Sequence, residues 1–262
     1  MADVRQQYTD ELYNNFGYFA TWEPGTIRQI GEVGEMKDNE FIRITNLKNL
    51  GIEFNVLTDE VKHDLSYSSK GSVTVTQKLS GTTTPKASSL GELESGFVVE
   101  FGKEKAVLLK AIGVSTEQID DQVALTEAII KLYNDKKWDK KWTVITELKH
   151  AESATIIISN SANSKIEISA KGSVGNTSLN IADAELGLSV VASTGINTEI
   201  IGKKNLTPLF RLKGIKTSLF GGNPVVKDRG LGEEADEVAE TGSEPDSRDI
   251  KDSYNYGKSK KK

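Results

Sequence analysis

Two stretches of the chain place apolar residues at every second position, and a period of two restricts them to β-strands with one dry and one wet face. In the first, Val73, Val75 and Leu79 alternate with Ser72, Thr74, Thr76 and Lys78. After the soft run Ser80-Gly81-Thr82-Thr83-Thr84-Pro85 the alternation resumes at Phe97, Val99 and Phe101. In the second, Ile166, Ile168 and Ala170 alternate with Lys165, Glu167, Ser169 and Lys171. Segment 154–159, with Ile156 and Ile158, is apolar on both faces, and Asn160-Ser161-Ala162-Asn163-Ser164 reads as a hairpin turn joining it to the second stretch.

The other elements are shorter. Val4, Tyr8, Leu12 and Phe16 have near-helical spacing with Gly17 as a stop, which predicts a helix over 3–15. Ile119, Val123, Ile130 and Tyr133 form a stripe that predicts the main helix over 116–136, with Ser115 and Gln118 at capping-box spacing. Strand-like runs occupy 26–30, 41–45, 52–56 and 142–148. Segments 186–192 and 198–201 read as a strand pair about Gly195-Ile196-Asn197, and 206–212 closes the body. These pieces predict an α+β fold: a twisted, mostly antiparallel sheet with one main helix packed on it. Residues 1–221 form one domain in this reading. Residues 222–262 read as a disordered tail, acidic and then basic, with seven carboxylates and no basic residue over 233–246.

Composition removes several functions. The chain has no cysteine, which excludes disulfides, thiolate catalysis and cysteine zinc sites. The formal net charge is -5, so there is no overall attraction to nucleic acid. Phosphate-loop and nucleophile-elbow signatures are missing, and no cofactor or metal is expected. His63 lies among Asp59, Glu60 and Asp64, a set that could do acid/base work but reads first as a surface loop. His150 reads as a solvated strand-end residue. The N-terminus lacks a secretory apolar core and no run is long enough for a spanning helix, so the expected location is cytoplasmic.

Two basic segments stand out. Lys136, Lys137, Trp138, Lys140 and Lys141 interleave ammonium and indole groups, which suits an anionic bilayer surface. The alternative is a helix end whose lysines complement the dipole and whose tryptophans pack on the sheet. Lys203, Lys204, Arg211, Lys213 and Lys216 read as a solvated strand edge. The alternating stretches come close to the ~9–11 residues of a membrane-spanning strand, though half-buried strands of an ordinary sheet share that period.

The order of these pieces resembles the pore-forming N-terminal domain of the gasdermins. Gly71-Ser72-Val73-Thr74-Val75 is followed by a serine-rich stretch, a strand at 96–101 and a helix at 116–136. Val144-Ile145-Thr146-Glu147-Leu148 then resembles the family strand that opens a second extension region. The resemblance spans roughly residues 25–215. It implies a non-enzymatic monomer that moves from the cytoplasm to the membrane, binds anionic lipids and forms a homo-oligomer. Two β-hairpins, near 65–101 and 142–172, would insert. On their apolar faces would stand Val73, Val75, Leu79, Phe97, Val99, Ile156, Ile158, Ile166 and Ile168. An activating protease that removes a restraining C-terminal part, here 222–262, is also implied. Two features depart from the pattern: there is no cysteine for the lipidation usual in bacterial relatives, and the tail is too polar for an obvious plug. The competing expectation is a soluble module that self-assembles through exposed strand edges.

Overall fold

The computed structural model describes residues 4–59, 61–77, 97–159, 161–170, 188–194, 198–217 and 223–231. Helix α1 (Val4–Phe16) buries Tyr8 and Leu12 and ends at Gly17, whose φ of 70° suits glycine. Five short strands follow: β1 (Phe19–Ala20), β2 (Glu32–Lys37), β3 (Glu40–Asn46), β4 (Val56–Thr58) and β5 (His63–Ser68). Next come β6 (Val73–Gln77), β7 (Phe97–Phe101) and β8 (Ala106–Ile119). Helix α2 (Gln122–Asn134) leads to β9 (Thr143–Ser159), β10 (Ser164–Ala170), β11 (Leu188–Thr194), β12 (Thr198–Lys216) and β13 (Val225–Asp228). The fold is α+β and strand-rich, and every strand pair among the described residues is antiparallel.

β9 is the spine of the larger sheet. β12 runs along one side of it, from Thr198↔Ser159 to Gly214↔Thr143. β8 runs along the other, from Ala106↔Ser159 to Gln118↔Glu147, and β2 takes over at Val33↔Val144. β5 and β4 pair the outer edge of β8, while β1 and β13 pair the outer edge of β12. Isoleucines 156, 157 and 158 are all buried, because both faces of this part of the sheet are covered. On one face Tyr8 and Leu12 of α1 meet Val107, Leu109, Ile156 and Ile158. Toward the other end, Leu125 and Ile129 of α2 pack with Ile119, Trp138, Val144 and Ile215. Each such aliphatic side chain contributes about 1.5–3 kcal/mol of burial.

Several expectations are corrected. The main helix starts at Gln122, not 116, because β8 continues through Ile119 against Val56. Its cap is Asp121, whose Oδ1 accepts from the Val123 and Ala124 amides at 3.0 and 2.8 Å. Segments 26–30 and 52–55 are irregular. Segment 154–159 does not form a hairpin with β10, and β11 does not pair with β12: β10 pairs β7 and β11, and β9 pairs β8 and β12. β12 pairs on both sides only over its second half, where β1 meets Leu209 and Phe210 and β13 meets Lys213–Lys216; Lys203 and Lys204 lie where the described residues pair it with β9 alone. Arg211 holds Glu147 at 3.1 Å and covers the Tyr18 ring at 4.2 Å. The fold also passes the expected boundary at 221, since β13 pairs β12 and the buried Arg229 donates to the Ile215 carbonyl at 2.8 Å.

Candidate functional site

The smaller sheet has the order β6-β7-β10-β11, and each of its strands continues a strand of the larger sheet. β5 passes into β6 through residues 69–72 and β7 into β8 through 102–105. β9 passes into β10 after Ser159, and β11 into β12 after Thr194. In the larger sheet the corresponding neighbours are β5-β8-β9-β12, so the order is the same on both sides of the joints. Four ribbons therefore run from the main body into two antiparallel pairs, β6–β7 and β10–β11.

The two faces of this sheet differ as its sequence period demands. Val75, Val99, Phe101 and Ile166 are buried, and the register places Val75, Val99 and Ile166 in one row across three strands. Thr74, Glu100 and Lys165 form the adjacent row and are exposed. Lys165 and Glu100 are 2.7 Å apart, and that hydrogen bond pushes the lysine pKa up. Val73 is half-buried. Phe97 and Ile168 stand opposite each other in the β7–β10 register. Leu79 lies outside the described residues, as do 78–96 and 171–187 between the paired strands. Ile156 and Ile158 lie in the core of the main sheet under α1.

The joints are tied together. The Ser69 amide donates to the Val107 carbonyl at 3.0 Å, and the Gly102 amide donates to the Ser72 carbonyl at 2.8 Å. The Lys105 amide donates to the Ser159 carbonyl, and the Ser159 and Ser164 hydroxyls bond one another. Glu11 of α1 accepts from the Tyr67 hydroxyl at 2.9 Å and from the Ser69 hydroxyl at 2.5 Å. Burial and Glu11 push the Tyr67 phenol up to about 12. Beside these bonds lies a groove of about 620 Å³, lined by Glu11, Lys70, Lys103, Glu104 and Lys105 among others. Lys70 and Lys103 are exposed. Sequence reasoning passed over these lysines, since isolated lysines in turns carry no pattern; only the fold gathers them at the base of the hairpins.

The lysine–tryptophan segment lies elsewhere. Lys136 is the left-handed residue that closes α2, with φ 60°, and the Lys137 amide donates back to the Leu132 carbonyl at 2.8 Å. Trp138 is 3% exposed, edge-on to Trp142 in the α2 core cluster, so its indole is not at the surface. Lys136, Lys137, Lys140 and Lys141 are exposed. They sit between α2 and the start of β9, at the end of the ribbons opposite the hairpins. β8 has 14 residues, which at ~3.3 Å per residue puts roughly 45 Å between the two ends.

His63 is at the surface as expected, though on a strand and not in a loop, and His150 is not at a strand end. His63 is exposed at the start of β5, and Asp64 is engaged with the Gly113 amide at 3.1 Å and with Lys110 at 3.5 Å. His150 lies within β9 opposite Ser115. It lines a cavity of about 370 Å³ together with Arg28, Glu32, Phe54 and Val56. Burial pushes the Glu32 carboxyl up from its ordinary value, against the pull of Arg28 at 3.9 Å and Arg43 at 3.3 Å. A raised folded pKa favours folding below the unfolded pKa, and that contribution is lost as pH rises through the folded one. Glu32→Gln is therefore expected to remove a decline in stability between those two pH values, measured as denaturation midpoints across a pH series. Among the described residues no group of histidines and carboxylates could hold a metal, and no helix is long and apolar enough to cross a membrane.

No family model matches the sequence, and no curated protein matches it. Among solved structures, the chain is similar to a bacterial gasdermin from Bradyrhizobium tropiciagri, with a TM-score of 0.35 and 10% identity over 85% of this chain and 90% of that one. It is also similar to the gasdermin A3 membrane pore, with a TM-score of 0.29 and 11% identity over 89% of this chain and 97% of that one. Both belong to the family that the sequence pattern resembles.

Proposed function

We propose that this chain is a non-enzymatic protein that leaves the aqueous phase for a membrane and there forms a homo-oligomeric pore through hairpins β6–β7 and β10–β11. The observation that carries the reading is the shared strand order on both sides of the joints. A sheet with this order can lengthen into a continuous four-stranded wall without breaking a strand pair. β6 and β11 are its outer strands and run in opposite directions. β11 of one copy beside β6 of the next would keep the antiparallel alternation and close a barrel with four strands per copy. The row through Val75, Val99 and Ile166, with Phe101, would meet lipid, and the row through Thr74, Glu100 and Lys165 would meet water.

Anionic lipid headgroups are the expected first contact, and Lys70 and Lys103 stand where a membrane would meet the base of the hairpins. The lysines at 136–141 lie at the far end. Cationic residues near an anionic surface contribute about 1 kcal/mol each. Lys70→Ala with Lys103→Ala should therefore weaken vesicle binding roughly thirtyfold, and Lys137→Ala with Lys141→Ala far less. The reverse ranking in a vesicle sedimentation assay would assign the contact to the α2 end. Proteolytic removal of the segment after Leu231 is part of the reading.

Dye release from phosphatidylserine vesicles tests the function, using the full chain and a chain ending at Leu231. Release from anionic but not neutral vesicles is expected, faster for the shorter chain. No release and no binding by either chain would overturn the proposal. The water-facing row also sets selectivity, because charged rings in a lumen select ions of opposite sign. Glu100→Lys leaves two lysines in each copy's row where a carboxylate and an ammonium offset each other, and should shift the reversal potential in planar bilayers toward anion selectivity.

A further inference from the structure

Three of the four joints contain a residue in the left-handed backbone region: Gly71 with φ 64°, Lys105 with φ 61° and Asn163 with φ 58°. The fourth joint lies outside the described residues. Left-handed residues also occur away from the joints, among them Gly113 at the register break of β8 against β5 and Asn205 within β12. Asp38 and Asn39 make the two-residue turn between β2 and β3, and Lys136 caps α2. Asn163 also suits this region, since asparagine tolerates it, and Gly71 carries no Cβ. Lys105 has neither advantage, and left-handed backbone disfavours an ordinary L-residue. Its conformation is held by neighbours: the Lys105 amide bonds the Ser159 carbonyl, while the facing turn is closed by Ser72 donating to Ser69 at 3.1 Å.

We propose that Gly71, Lys105 and Asn163 are the hinges of the pore transition, and that the side chain at each sets the balance between the jointed form and one with unbroken strands. This rests on the function proposed above. For β5 to run straight into β6, β7 into β8 and β9 into β10, each of these φ angles must pass from positive to the negative values of a strand. A residue that favours the left-handed region holds the ribbons jointed, and one that disfavours it releases them. Glu11 of α1 pins the first joint through the Tyr67 and Ser69 hydroxyls, so the hinge at Gly71 is held from outside the ribbons as well.

Substitution at Gly71 acts through the backbone, whereas Lys105→Gly also removes a cation from the groove at the hairpin base, so Lys105→Ala serves as its control for the lost charge. A Cβ on Gly71 would meet nothing within 4 Å, so Gly71→Val opposes the left-handed conformation without a clash. Valine also prefers strand geometry. Lys105→Gly removes the penalty in the jointed form and weakens the strand form. Gly71→Asn keeps a tolerated residue. In the full chain, Gly71→Val should speed dye release from phosphatidylserine vesicles about tenfold, a factor corresponding to ~1.4 kcal/mol. Lys105→Gly should slow it by a similar factor while raising or preserving the melting temperature, and Gly71→Asn should stay within about twofold of the parent. Because the chain lacks cysteine, spin labels at Ser66→Cys and Thr74→Cys report the first joint directly. Eight strand residues span roughly 26 Å, and the label separation should rise toward that value on vesicles. If the parent releases dye but Gly71→Val and Lys105→Gly do not move the rate in opposite directions, the hinge assignment is wrong and the pore reading stands. If the parent neither releases dye nor lengthens the label distance, the pore reading is wrong and the hinges fall with it. Should Gly71→Val fail to fold, slower release by Lys105→Gly than by Lys105→Ala decides for the hinge, and equal rates decide against it.

Discussion

Replacing Phe210 by alanine will cost about 3–5 kcal/mol of stability. Phe210 is 1% exposed and lies between two other rings, stacked on Phe19 at 5.9 Å and edge-on to Phe41 at 5.8 Å. It is paired in register with Leu148 of β9 on one side and Phe19 of β1 on the other. The truncation therefore opens a void where three strands meet, and β-sheet backbones ordered by long ladders collapse poorly into voids. A domain of this size loses about 2–4 °C per kcal/mol, so the melting temperature should fall by roughly 6–20 °C. Since folded domains hold only about 5–15 kcal/mol in total, this one side chain is a large share of the margin. Val123→Ala, on the outer face of α2 at 69% exposure, is the control and should change stability by no more than about 0.5 kcal/mol. A Phe210→Ala loss below 1 kcal/mol would mean that the aromatic cluster is not packed as described.

Val99→Lys will abolish membrane leakage, and Thr74→Lys, on a neighbouring strand one row away, will not. Val99 is fully buried between Val75 and Ile166, whereas Thr74 faces water beside Glu100. A lysine on the lipid face of a transmembrane barrel costs about 2–4 kcal/mol at mid-depth, and every copy in a ring bears that cost. In the aqueous form the same lysine is a buried cation without a partner, so the smaller sheet should also lose its protection from hydrogen exchange. The main sheet has its own clusters under α1 and α2 and should keep its protection, which separates a local failure from global unfolding. Equal tolerance of lysine at positions 74 and 99 would contradict the assignment of faces.

Local chemistry explains how much of this was readable in the chain. A period of two requires only that each residue know its immediate neighbours, and it placed β6, β7 and β10 within a residue or two. The α1 stripe and its glycine stop were readable for the same reason, since caps and helical faces are local. β8 was missed because Ala106–Ile119 is buried on both faces at its start and therefore lacks alternation. The start of α2 was misplaced because Ser115 and Gln118 imitate a capping box, whereas the carboxylate that caps the helix is Asp121.

Which strands pair is a different kind of information. Segment 154–159 and β10 are adjacent in sequence, separated by turn residues, and a hairpin was the natural expectation. Instead the chain passes through a joint from one sheet into the next, because burying Ile156, Ile157 and Ile158 between β8 and β12 removes more apolar surface than a two-stranded hairpin could. The residue pattern by itself determined that this protein has wet-faced strands, a short amphipathic helix at its start and no cysteine chemistry. Only the tertiary structure decided that four ribbons cross two sheets in one order, that Trp138 is core, and that Lys70 and Lys103 lie at the hairpin base. The physical reason is that alternation and capping are set by bonds within a few residues, whereas register and partner choice are set by burial between residues as far apart in sequence as Phe19 and Phe210.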